Sequence, residues 1–79
     1  MYILYGNING WKELIRSDDE LDIINKLNEH INTNEQIKYF VTLSNGKNDF
    51  IVKFMNTMED YVDYIYMARQ RGFARKRSK

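Results

Sequence analysis

His30 is the only imidazole in this 79-residue chain, and there is no cysteine. Nucleophilic catalysis needs a nucleophile, a base and a group that orients the base, all within hydrogen-bond reach. His30 follows Glu29, and the sequence places no serine or aspartate beside it. It reads as a surface histidine suited to a helix C-terminus, where a partly cationic ring meets the negative end of the helix dipole. Asp18, Asp19 and Asp22 form an Asp-Asp-x-x-Asp string of the kind that holds magnesium on helices. Such sites need a second carboxylate cluster across a deep cavity, for which a domain of this size has no room. The glycines, Gly6, Gly10, Gly46 and Gly72, stand singly, so no phosphate-cradling loop is present. The sequence therefore reads as a non-enzyme that calls for no metal and no cofactor.

Binding chemistry is better supplied. The chain holds six Tyr, four Phe and one Trp. Trp11, Tyr39, Phe50 and Phe54 fall at inward-reading strand positions, and Tyr61 falls on the inward stripe of a helix. With that stripe centred near Tyr61 and Ile65, Tyr64 and Met67 lie on one flank with Asp60 and Arg71, and Tyr66 lies on the other with Glu59. Tyr, Met and Arg are residue types enriched at interfaces, so Tyr64, Met67 and Arg71 are candidate binding residues.

The charge is uneven along the chain. Residues 1–68 hold six basic and eleven acidic groups, whereas the last eleven residues hold six basic groups and no acid. Arg69 and Arg71 suit a helix C-terminus, but Arg75, Lys76, Arg77 and Lys79 lie beyond it. These later cations suit phosphates, each contact releasing counterions, or an acidic protein surface, or solubility alone. Phe73, Arg75, Lys76 and Arg77 thus join the candidate binding residues, with Tyr64 or Phe73 available for stacking on a base.

Positioning these groups requires a fold, and the sequence repeats one grammar twice. Ile37, Tyr39, Val41 and Leu43 alternate with Lys38, Thr42 and Ser44, as in a half-buried strand. Asn45-Gly46 follows, a pair that tolerates positive φ in a hairpin, and Phe50, Val52 and Phe54 then alternate with Ile51, Lys53 and Met55. Asn56 or Thr57 can cap a helix, with Glu59 in capping-box position. Met58, Tyr61, Val62, Ile65 and Ala68 recur at helical spacing up to Gly72, which predicts a helix over 57–71.

In the first half, Tyr2 to Tyr5 is β-prone, Asn9-Gly10 is the turn and Trp11 to Arg16 is the return strand. Trp11, Leu14 and Ile15 also fit helical spacing, but the capping box Ser17-Asp18-Asp19-Glu20 marks a fresh start and favours a strand. Leu21, Ile24, Leu27 and Ile31 predict a helix over 18–31, and residues 32–35 connect the halves. The expected fold is α+β, ββαββα, a four-stranded antiparallel sheet with two helices packed on one face. A single domain over 1–72 and a flexible basic tail over 73–79 are expected. These elements are generic and carry no family resemblance.

A chain this short forms one core, and no apolar run is long enough to span a membrane or act as a secretory signal, so a cytoplasmic protein is expected. Asn, Ile, Lys, Tyr and Phe number 35 against 11 for Ala, Gly, Pro and Arg, the skew of AT-rich codons found in low-GC bacteria and their phages and plasmids. Two functions compete. One is a mobile-element accessory protein that binds and inhibits or redirects a host protein or nucleoprotein complex, an anti-defence or anti-CRISPR-like inhibitor being its concrete form, with homodimer formation as a further use of the terminal helix. The stretch from Asp18 to Glu35, with six acids against Lys26 alone, suggests a partial imitation of a phosphate backbone. The other is a nucleic-acid-binding protein that uses the basic end of the terminal helix and the tail. The acidic body stands against it unless that body is turned away from the ligand.

Overall fold

The computed structural model describes residues 1–33 and 38–72 of the chain. Its elements run β1 (Tyr2–Asn7), β2 (Trp11–Ser17), α1 (Glu20–Thr33), β3 (Tyr39–Ser44), β4 (Asp49–Met55) and α2 (Met58–Gln70). All four strands pair antiparallel in the order β2-β1-β3-β4, so the first strands of the two hairpins meet at the centre. This is the α+β, ββαββα fold expected from the sequence, and residues 11–17 are strand. The expected tail, 73–79, residues 34–35 of the connector and the inward-reading Ile37 lie outside the described residues, and residues 32–33 belong to α1.

Turn chemistry fixes both hairpins. Asn9 (φ 57°) and Gly10 (φ 112°) occupy the positive-φ region that ordinary residues avoid, and the Asn7 side chain accepts a hydrogen bond from the Gly10 N–H at 3.1 Å. In the second hairpin the Asn45 side chain accepts from the Lys47 and Asn48 N–H groups at 3.1 and 2.9 Å, folding residues 45–48 back into β4.

Alternation places Tyr2 and Leu4 of β1, Tyr39 and Val41 of β3 and Met55 of β4 on one face. Ile23, Ile24 and Leu27 of α1 and Tyr64 and Ala68 of α2 close over them. Gly6 belongs to the same face. A Cβ there would sit 2.8 Å from Leu14 Cδ1 and 3.3 Å from the Tyr39 ring, so the missing side chain makes room for both.

Each edge strand carries one extra residue. The register of β2 against β1 slips at Leu14, and that of β4 against β3 slips at Val52. Leu14 and Val52 both pack against the core, and each slip reverses the phase of the rest of its strand. This corrects the inward placement of Trp11 and Phe54 read from simple alternation, while Phe50 keeps the face of Leu43 but is exposed, so it too is not core. Phe54 lies opposite Phe40 on the outer face, Trp11 lies opposite Asn7, and Phe50 lies opposite Leu43 at the hairpin end.

The helix caps differ from the expected boxes. The Ser17 hydroxyl accepts from the Asp19 N–H and donates to the Asp22 carboxylate, and Asp19 accepts from the Leu21 N–H. Glu20 is thereby released from the capping role. At α2 the cap is Thr57, which accepts from the Asp60 N–H, while Asp60 rather than Glu59 reaches back to accept from the Asn56 N–H at 3.0 Å. That backbone donor holds the Asp60 carboxyl below its ordinary range.

Candidate binding surfaces

The helix-covered side and the open side of the sheet offer different chemistry. On the covered side, Tyr64 is not a surface residue: it is fully buried, and its hydroxyl donates to Glu20 Oε2 at 2.6 Å. Arg71 donates from both Nη atoms to the same carboxylate, at 2.7 and 3.0 Å. Glu20 is itself fully buried, and the Arg71 side chain remains 38% exposed. Fork-to-fork pairing of this kind fixes geometry as well as charge. It ties the start of α1 to the end of α2, and Tyr61 donating to Asn28 gives a second link between the helices.

Arg71 is therefore a clamp on the core, which corrects its expected role as a free surface cation. The inward stripe of α2 is centred on Tyr64 and Ala68, with Tyr61 and Ile65 half-buried beside it. The stripe is rotated because the Tyr64 hydroxyl needs the carboxylate below it, a partner that periodicity does not register. Met58 and Val62, which helical spacing assigned to the core, are exposed together with Tyr66, and Met67 is partly exposed. Phe73, Arg75, Lys76 and Arg77 lie outside the described residues.

The open side was missed by sequence reasoning. Register aligns Tyr5, Phe40 and Phe54 in one row across β1, β3 and β4. The Tyr5 and Phe40 rings stack at 4.7 Å, and Phe40 and Phe54 lie nearly parallel at 6.3 Å. Trp11 meets Phe40 edge-on at 4.8 Å and Phe54 at 6.0 Å. These are favourable aromatic geometries, worth about 0.5–1.5 kcal/mol per pair beyond area burial. Yet Trp11 is 44% exposed and Phe54 45% exposed, with Ile51 beside them more exposed still. The charges on this face cancel: Glu13 and Arg16 form a two-point ion pair, at 2.5 and 2.8 Å. The missed signal was the pair of slips at Leu14 and Val52, which follows from packing and not from residue spacing.

Charge divides between the layers. Residues 1–17 and 38–55, the sheet and its hairpins, carry five basic and two acidic side chains, a net of +3. Residues 18–33 and 56–72, the helices and their caps, carry eight acidic and three basic side chains, a net of −5. The acidic body seen in the sequence is thus the helix layer, turned away from the aromatic face.

No group of three or more metal-ligating side chains occurs among the described residues. The Asp string is occupied locally: Asp19 and Asp22 in the α1 cap, and Asp18 3.7 Å from the Met1 amino group. His30 sits edge-on to the Tyr39 ring at 6.2 Å, beside an open depression lined by Glu29, His30, Asn32 and Thr33. The Thr33 hydroxyl there donates to the Glu29 and His30 carbonyls, so it is already engaged with the backbone. No helix among the described residues is long and apolar enough to cross a membrane.

No protein-family model, curated protein or solved structure matches this chain.

Proposed function

We propose that the chain is a non-catalytic binding protein that acts stoichiometrically, docking through the open face of its sheet and so inhibiting or redirecting a host macromolecule. The observation that supports this reading is the ring cluster of Tyr5, Trp11, Phe40 and Phe54, left partly in water where a third layer would ordinarily cover it. Exposed aromatics around a centre whose charges are internally paired are the usual anchors of a desolvated contact. The AT-rich skew supplies the setting, an accessory protein of a phage or other mobile element, with an anti-defence inhibitor as its concrete form.

The test compares the protein with its Trp11→Ser/Phe54→Ser variant, both immobilised and exposed to lysate of a low-GC bacterium. Neither side chain belongs to the core, so the variant should keep its circular dichroism. Anchor residues each contribute about 2 kcal/mol or more, so a macromolecule held near one-to-one by the parent should be held at least about thirtyfold more weakly by the variant. Equal retention by both proteins, or retention by neither, counts against the reading.

A further inference from the structure

We infer that the first occupant of the open face is a second copy of this chain, packed sheet to sheet about a two-fold axis that crosses the strands, so that a host macromolecule reaches the face only by displacing the copy. This adds a regulation to the proposed function and rests on it. Register lays the open face out in rows. One row is Glu13, Tyr5, Phe40 and Phe54, and the next is Arg16, Ile3, Thr42 and Ile51. Beyond the first stand Trp11, Asn7 and Lys38, and beyond the second stand Ser44 and Asp49. The ring row forms a ridge, since Tyr5 and Phe40 are half-buried and Phe54 is exposed. The next row is a trough at its centre, where Ile3 and Thr42 are only 6% and 7% exposed although both helices pack on the other side of the sheet.

That layout is self-complementary. A two-fold axis between the two rows exchanges them and sets each chain's ridge over its partner's trough: Tyr5 over Ile3, Phe40 over Thr42 and Phe54 over Ile51. The same operation sets Glu13 over the partner's Arg16 and Arg16 over the partner's Glu13, and brings Lys38 beside the partner's Asp49. An axis along the strands would instead lay β2 over β4 and lose each of these pairings. Stacked sheets keep their strands within about 30° of each other, a rotation that long side chains such as Glu and Arg span. Charge agrees with this occupant. Among the described residues, Glu13, Arg16, Lys38 and Asp49 are the charged side chains of the open face, two of each sign, because Lys12 and Lys53 stand opposite Gly6 and Val41 on the helix-covered face. A neutral face thus meets a neutral face, and the two −5 helix layers stay on the outer sides. Four strands about 4.8 Å apart and about 20 Å long make a small patch, which places the dimer in the weak, exchanging class that a better partner displaces.

The experiment is sedimentation equilibrium of the full chain from about 10 µM to about 1 mM. A reversible rise from 9.5 kDa toward twice that mass is expected. Trp11→Ser/Phe54→Ser, with its dichroism matching the parent's, should stay monomeric, because each lost anchor weakens the dimer by at least about thirtyfold. Two further variants test the axis: Glu13→Arg puts two cations at the edge of the face, and Arg16→Glu puts two anions there. Each alone should dimerise at least about tenfold more weakly than the parent. Mixed in equal amounts they should recover the dimer, because the axis sets the cations of one chain over the anions of the other. Adding the captured macromolecule should convert the parent dimer into one-to-one complexes.

A parent that stays monomeric at about 1 mM overturns the inference. So does a dimer that ignores Trp11 and Phe54, and so does a mixture of the Glu13→Arg and Arg16→Glu chains that associates no better than either alone. A complex in which the captured macromolecule sits on an intact dimer overturns it as well. If the parent is monomeric while a macromolecule is still captured through Trp11 and Phe54, the self-association falls and the docking face stands. If the dimer forms as described but nothing is captured, the dimer stands and the proposed function falls.

Discussion

Arg71→Met should lower the stability of this protein by about 3 kcal/mol, most of what a domain of its size has, so that the variant is only marginally folded at ambient temperature. The residue looks dispensable: it follows the last turn of an exterior helix, and over a third of its side chain faces water. Its partner decides the outcome. Glu20 has no exposure, and removing the cation leaves a carboxylate in the interior whose desolvation is no longer compensated. The lower part of the range for broken buried pairs applies because water can approach from the Arg71 side. Replacing both groups tests the mechanism: Glu20→Leu/Arg71→Met removes the charge together with its partner and should recover most of the loss, giving a large coupling energy in a double-mutant cycle. Thermal and urea unfolding read the result. A cost below about 1 kcal/mol for Arg71→Met would show that the pair behaves as an ordinary surface bridge.

Raising the pH above the ordinary tyrosine value should progressively destabilise the protein, because three phenols ionise more readily in the unfolded chain than in the folded one. Tyr2, Tyr39 and Tyr64 all have raised values. Burial is the largest cause for each, and the Glu20 carboxylate adds to it for Tyr2 and Tyr64. The sign follows from proton counting. Below 10.0, the ordinary value, both states hold these protons and the full stability is present; above it, the unfolded chain releases protons that the folded chain keeps. Stability therefore falls as pH rises, with Tyr64, the most deeply buried of the three, contributing most.

Circular dichroism and phenolate absorbance followed together from neutral to strongly alkaline pH should show one cooperative loss of structure coinciding with tyrosine ionisation. Tyr39→Phe separates the contributions. The Tyr39 hydroxyl is buried without a hydrogen-bond partner among the described residues, so the substitution should cost little at neutral pH and lessen the alkaline loss of stability. Ionisation of all the tyrosines with the dichroism intact would contradict this prediction.

The parts of the fold that depend on local chemistry were readable from the sequence. Asn9-Gly10 and Asn45-Gly46 mark their hairpins because few residues tolerate the backbone those turns need. Tyr39, Val41 and Leu43 point inward because β3 is a central strand paired on both sides without an irregularity until its midpoint. Edge strands escape that logic. The extra residues at Leu14 and Val52 are accommodated because a strand paired on one side can bend, and each converts an expected core aromatic into a surface one. The helix stripe failed for a different reason. Spacing ranks Tyr64 and Val62 by hydropathy, whereas the fold ranks them by whether a buried hydroxyl finds an acceptor, and Glu20 supplies one from 44 residues away. Glu20 was legible only as a helix-start acid, since nothing local distinguishes a capping carboxylate from one that closes a core. The candidate surface was hidden by the same edge effect, because Trp11 and Phe54 read as core under uninterrupted alternation.

The claim on which the function rests is that the open sheet face, and not the terminal helix, meets the ligand. Two-dimensional NMR of the labelled protein titrated with the macromolecule it captures locates the contact directly. The largest shifts are expected at the side chains of Tyr5, Trp11, Phe40 and Phe54, with Tyr64, Met67 and Ala68 unmoved. Shifts confined to the end of α2 and the residues after it, with the sheet face silent, would contradict it.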